Sequence, residues 1–213
     1  MPLNPIEYTG DQQQFIESYM SQEGFDHNCW NDNNVKDDFK RDFTKLKSEI
    51  KSYYKQHQRH TCPYCKNQIP LTNGQVWHIE HIVPKSLNCH LMFKPSNICV
   101  ACVDCNISKG SKGVFFRQDI EDSEIAADYK IVHPFFDEYS DHIEKDGYAY
   151  LPLGRSEKGK NTIRICKLDR FISLALDDEQ RDTDIIDFSE SISLDDEDLE
   201  EQIDNFVAMA IDD

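Results

Sequence analysis

The stretch WHIEHIVPKSLNCHLMFKPSNICVACVDCNISKG, residues 77–110, decides how this chain folds. It sets a Glu80-His81 pair ahead of Asn97 and Asn106 and ends around the knuckle Cys102-x-x-Cys105. A second knuckle, Cys62-Pro-Tyr-Cys65, stands just upstream. After a hairpin signal at Asn73-Gly74, Gln75–Val83 reads as a strand. Lys85–Ser96 reads as a loop and Asn97–Ala101 as a second short strand. From Asp104 to about Lys112 the pattern predicts a helix carrying Asn106 and Lys109, with Gly110 and Gly113 near its end. The sum is a β-β-α unit with a metal at its base.

Two C-x-x-C knuckles separated by 36 residues offer four thiolates to one tetrahedral ion. Cys62, Cys65, Cys102 and Cys105 are therefore read as ligands of a structural Zn²⁺. Cys99-x-x-Cys102-x-x-Cys105 contains two overlapping knuckles, and 102/105 is preferred because Cys99 falls in the expected strand, where a buried thiol is ordinary. Cys29, Cys89 and Cys166 are isolated and read as core or surface thiols. Four thiolates leave the zinc no open position, so its task is to hold a small, loop-rich site together.

Hydrolysing a phosphodiester needs an activated water, charge stabilisation and help for the leaving oxygen. His81 suits the first, since an imidazole titrating near ~6.5 is a working base at neutral pH. Glu80 and Asn106 offer oxygen ligands, which suit a hard catalytic cation such as Mg²⁺ or Mn²⁺. Adjacent strand residues face opposite ways, so Glu80 and His81 can flank one phosphate only if the backbone bends there. His78 shares the Glu80 side of the strand, as a structural neighbour or an extra ligand.

The chain has 213 residues, enough for one compact domain with extensions. Its net charge of −17 argues against a nucleic-acid partner until it is mapped. Residues 177–213 hold 16 Asp/Glu against Arg181 alone, whereas Lys36 to Arg117 carries 14 Lys/Arg against six Asp/Glu. A basic core thus precedes an acidic tail. No apolar run approaches a membrane span, and MPLNPIEYTG lacks the pattern of a signal peptide, so a cytoplasmic location with reduced thiols is expected.

Four segments follow from composition and periodicity. Residues 1–34 are polar, with a short helix around Gln12–Met20. Residues 35–119 begin with an amphipathic helix, Val35 to about Lys55, and continue through the β-β-α core. The other face of that helix is lysine-rich, and it is either simply solvated or tracks a phosphate backbone. The candidates for nucleic-acid contact are Lys45, Lys51, Lys85, Lys109 and Lys112. Residues 120–176 read as a small mixed α/β extension packed on the core. Strands are expected at Tyr129–Phe136, Tyr148–Leu153 and Thr162–Ile165, with turns at Asp146-Gly147 and Lys158-Gly159. Residues 177–213 are an acidic tail in which Ser193 could cap a helix bearing Leu199, Ile203, Phe206, Val207 and Ala210 on one face. The fold class is α+β.

These residues resemble an HNH (ββα-metal) endonuclease of the zinc-knuckle branch. The likeness rests on Glu80-His81 followed by Ile82-Val83-Pro84, on Asn97, and on Cys105-Asn106-x-x-Lys109. It implies that His81 activates water, that Glu80 and Asn106 bind the catalytic metal, and that Asn97 orients the loop carrying His81. The final motif position is Asn rather than His, and the acidic ligand is Glu rather than the commoner Asp. A weaker similarity over about 35–172 points to the nuclease subunits of bacterial anti-phage systems of the Septu and retron-associated type, which work beside an ATPase.

The resulting expectation is a metal-dependent DNA endonuclease leaving 5′-phosphate and 3′-hydroxyl ends, with RNA left open as a substrate. A stand-alone restriction or homing-type nuclease and a non-catalytic zinc-ribbon binding module are the rivals. The tail is open to three readings: a solvated appendage, a docking segment for a protein partner, or a nucleic-acid mimic that occupies the basic channel.

Overall fold

A computed structural model describes residues 2–70 and 74–172. The tail helix and Asn73 of the hairpin signal lie outside the described residues. The main compact unit comprises residues 1–145 and 150–168, and a second is assigned residues 146–149 and 169 onward. In the second, the described part contains the turn at Gly147, whose φ of +53° suits glycine.

Helix α1 (Gly10–Met20) starts at a reciprocal cap. The Thr9 side chain accepts from the backbone of Gln12, and the Gln12 side chain accepts from the backbone of Thr9 at 2.8 Å. Helix α2 (Asp37–His57) follows the predicted periodicity, burying Phe43, Leu46, Ile50 and Tyr54. Asp37 and Asp38 in its first turn and Lys55 and His57 in its last complement the helix dipole. An aromatic cluster ties the two helices together, with the Tyr19 and Phe43 rings 5.0 Å apart. Arg59 and His60 then take left-handed conformations that turn the chain back toward the first knuckle.

Strands β1 (Trp77–His81) and β2 (Ile98–Cys102) pair antiparallel, with Glu80 opposite Cys99 and His81 opposite Ile98. Helix α3 (Val103–Lys109) follows at once and stops at Gly110, whose φ is +52°. The β-β-α unit is present. Every residue of β2 is buried. Its backbone is further satisfied by Gln58, whose side chain donates to the Val100 carbonyl at 2.7 Å and accepts from the Val100 amide at 3.0 Å.

The strand at 75–83 is shorter than expected because a 3-10 turn, Gly74–Val76, precedes it and Asn97 captures its far end. The Ile82 amide donates to the Asn97 carbonyl at 2.9 Å and the Val83 amide to the Asn97 side chain at 2.7 Å. The loop after it is broken by two further 3-10 turns, Cys89–Leu91 and Pro95–Asn97.

Beyond α3 the expectations need correction. Tyr129–Phe136 is not a strand. Tyr129 makes a single bridge to Phe115, the Val132 amide is taken by the Thr162 hydroxyl, and Asp137 accepts from the His133 amide just before Pro134. Strands β3 (Ile143–Asp146) and β4 (Ala149–Pro152) form a second two-stranded sheet, of which only the latter was anticipated. Thr162–Ile165 and the expected turn at Lys158-Gly159 both belong to helix α4 (Glu157–Cys166). Ser156 caps it, and its buried positions Gly159, Thr162, Ile165 and Cys166 recur at helical spacing. Gly159 is needed there, since a Cβ would stand 2.1 Å from the His142 carbonyl oxygen. Among the described residues no helix is long and apolar enough to cross a membrane.

Candidate active site and metal centre

The first knuckle lies in the turn after α2, and the second spans the end of β2 and the start of α3. Cys62, Cys65, Cys102 and Cys105 place all four sulfurs within 4.8 Å of one another, and all four residues are buried. The Cys65 and Cys102 sulfurs are 3.9 Å apart. A tetrahedral ion with thiolates at ~2.3 Å spaces its ligands by about 3.8 Å, so the set fits such an ion. Hydrogen bonding with the thiol of Cys102, then with those of Cys62 and Cys65, raises the Cys105 thiol far above its ordinary range. Four adjacent thiolates repel one another unless a cation offsets their charge. Cys99 is fully buried and stands apart from this set.

A second cluster faces an open cleft of about 710 Å³. Glu80, His81, Lys85 and Asn106 line it, as do Trp30, Lys47 and Lys51 from elements ahead of the knuckles. The strand ends at His81, which lets Glu80 and His81 share one cleft.

His81 is only 4% exposed. Its Nε2 lies 3.0 Å from the Met92 carbonyl oxygen. A carbonyl only accepts, so Nε2 carries the proton and Nδ1 keeps its lone pair. Lys85 Nζ lies 3.5 Å from that Nδ1. Burial, followed by the charge of Lys85, holds the imidazole well below its ordinary value despite the opposing pull of the Met92 carbonyl. His81 is therefore neutral at physiological pH.

Glu80 is buried but well supplied with partners. Lys109 Nζ pairs with its Oε1 at 2.7 Å, and the Tyr64 hydroxyl donates to the same oxygen at 3.0 Å. Asn106 Nδ2 donates to Oε2 at 2.5 Å, while Asn106 Oδ1 lies 3.2 Å from Nδ1 of His78. Glu80, Asn106 and half-buried His78 thus converge, and the first two present the oxygen chemistry that a hard divalent cation takes. Asn97 is buried behind them. Its amide accepts from the Val83 amide and donates to the carbonyls of Val83 at 3.2 Å and Leu91 at 3.0 Å. Those bonds pin both sides of the loop that follows His81.

The lysine candidates separate. Lys51 and Lys85 line the cleft. Lys109 does not: it is 1% exposed, paired with Glu80 and bonded to the His81 carbonyl at 2.9 Å, so it has no surface to offer a nucleic acid. Lys45 lines a different, shallow groove with Asp42 and Glu49. Lys112 is exposed but donates to the carbonyls of Ser108 and Ile165. Sequence reasoning passed over Lys47 as a contact candidate, although helical spacing puts it on the Lys51 face and turns Lys45 away. It also gave no role to Tyr64 or Trp30.

Residues 62–112 match the family model described as HNH endonuclease. That span holds both knuckles, the β-β-α unit and every residue of the Glu80–His81–Asn97–Asn106 set, and it forms an HNH endonuclease domain within the chain. A comparison with curated proteins gives no significant match.

Proposed function

We propose that this chain hydrolyses phosphodiester bonds of DNA with His81 as general base, leaving 5′-phosphate and 3′-hydroxyl ends. The observation that carries the reading is a buried, neutral His81, its Nδ1 left without the proton, lining the same cleft as Glu80 and Asn106. Nδ1 takes the proton of the attacking water, and the Met92 carbonyl steadies the imidazolium that forms. Asn97 keeps the loop, and hence the ring, in place. Lys85, beside Nδ1, is positioned to meet a phosphate oxygen. Glu80 and Asn106, the latter through Oδ1, would hold Mg²⁺ or Mn²⁺. When bound, that ion supplies charge neutralisation on the phosphate and at the leaving 3′ oxygen. Zn²⁺ is proposed for the four cysteines, in a structural role.

Plasmid nicking with Mg²⁺ or Mn²⁺ tests the mechanism. His81→Ala should lower the rate by on the order of 10²–10⁴. A variant as fast as the wild type would falsify the assignment.

The motif spellings HIEHIVPKS, IVHPFFDEYSDHI and KNTIRICKLDRF support a narrower biological reading. In it the chain is the cytoplasmic nuclease of an anti-phage complex, partnered by an ATPase. Co-purification from the native host, followed by a cleavage assay, tests it. Cutting at full rate by the isolated chain argues instead for a stand-alone enzyme.

A further inference from the structure

Trp30 lines this cleft together with His27 and Asp32 of the same segment, and it lies outside the span 62–112. It sits in a 3-10 turn, His27–Trp30, opened by the side chain of Asp26. Its ring stands perpendicular to the imidazole of His81, with centroids 4.5 Å apart. Lys85 Nζ lies 5.8 Å from the same indole, within reach of a cation–π attraction. On its other sides the indole packs on Phe43 and Phe93, each with its centroid 5.7 Å away.

The turn itself is clipped to α2. Lys47 Nζ donates to the Trp30 carbonyl at 3.3 Å and to Asp32 Oδ1 at 2.9 Å, and it lies 4.9 Å over the Trp30 ring. One chain of contacts therefore runs from α2 through Lys47 to Trp30, and from Trp30 to His81 and Lys85. The Met92 carbonyl and Lys85 Nζ meet the imidazole at its two ring nitrogens, in the plane of the ring. The indole, perpendicular to the imidazole, is the aromatic ring packed against it.

We propose that Trp30 is a positioning residue for the active site, setting the ring plane of His81 and the approach of Lys85, with Lys47 as the clip that holds Trp30 there. The proposal rests on the nuclease reading for its kinetic consequence, though not for its geometric one. The segment ahead of the knuckles is then a working wall of the catalytic cleft rather than an appendage.

The test uses the full chain. Trp30→Leu should lower kcat about 10- to 100-fold, the scale expected when a reacting group is misplaced, and change KM by less than about 3-fold. Trp30→Phe retains an aromatic face and should stay within about 3-fold of wild type. In a His81→Ala background, Trp30→Leu should change the residual rate by less than about 2-fold, because non-additivity marks residues that act through each other. Full additivity, or a Trp30→Leu protein as fast as wild type, overturns the proposal.

A second readout needs no cleavage. With ring-labelled histidine, the His81 resonance should move in Trp30→Leu as the ring current of the indole is lost, and an unmoved resonance overturns the proposal. If the wild type cuts nothing with any divalent ion, the nuclease reading fails and that resonance alone decides. Should Trp30→Leu not fold, Lys47→Met removes the clip without opening the aromatic cluster, and its readout is the His81 resonance alone: it should move, and an unmoved resonance overturns the proposal.

Discussion

The proposed mechanism turns on a single nitrogen, Nδ1 of His81, and requires that it be kept neutral. Burial keeps it so, and it does the same to a second histidine remote from the reaction. His133 is pushed down to about 3 by burial, with Lys158 and then Lys94 adding repulsion. In the unfolded chain a histidine titrates near ~6.5. Above that value neither state holds the proton. As the pH falls, the unfolded state alone binds it, so stability present at neutral pH is lost progressively down toward about 3. Urea midpoints of the metal-saturated protein should fall between about pH 7 and pH 5, and His133→Gln should reduce that dependence. A variant with an undiminished slope would show that the proton uptake lies elsewhere. At this scale the sequence was informative about spacing: Glu80, His81 and Asn106 line one cleft, and Asn97 bonds to the loop that follows His81. It was silent on burial, which is why Lys109 was mistaken for a surface cation. A lysine in a CN-x-x-K ending carries no mark to show that its ammonium turns inward onto Glu80.

Among the elements, α3 does two jobs with one turn of helix. Cys105 faces the knuckle, Asn106 faces the cleft, and Lys109 runs beneath both to Glu80. Both partners of that ion pair are nearly inaccessible, so removing one leaves the other charge buried and unpaired. Lys109→Met should cost about 3–5 kcal/mol in urea unfolding, far more than loss of an exposed pair such as Lys45–Glu49. A loss below about 1 kcal/mol would mean that water reaches Glu80 after all. Helices with a one-sided apolar stripe, such as α2, were legible because burial follows the 3.6-residue period. The region after α3 was not. Thr162, Ile163 and Ile165 have the β-branched look of a strand, and nothing local reveals that Gly159 lets the α4 backbone press against His142. Tyr129–Phe136 failed for the opposite reason: its apolar run is real, but its amides are claimed one by one by Thr162 and Asp137.

In the molecule as a whole, two side-chain sets of different chemistry, the four cysteines and the Glu80–Asn106 pair, share one small scaffold. With most of the local structure in short elements and turns, an ion held by the four cysteines would supply folding free energy that the β-β-α unit lacks. Stripping the protein with a strong thiol-competitive chelator should release one metal equivalent and collapse the near-UV circular dichroism. Trp77, buried beside the knuckle as the β1 partner of Cys102, reports on the same loss. Retention of the native spectrum after complete metal removal would contradict the role given to the cysteines. The charge map from the sequence holds at this scale as well, since Lys47, Lys51 and Lys85 all border the cleft. What the sequence could not convey is the long-range return of the Asn/Asp-rich N-terminal segment to the base, because packing of that kind leaves no periodic trace.

Tyr64 gives the two sites a shared dependency. It lies between the two cysteines of the first knuckle, and its hydroxyl reaches Glu80. The donor that orients the Glu80 carboxylate is thus borne by the loop that carries Cys62 and Cys65. This limits portability. A graft of the β1–β2–α3 hairpin alone into another scaffold would carry the motif letters while losing the hydroxyl that aims Glu80. A graft of residues 62–112 would recover Tyr64 but leave His81 without its indole neighbour. On the proposed mechanism, a transplantable unit would therefore begin upstream of Trp30, well before the span 62–112.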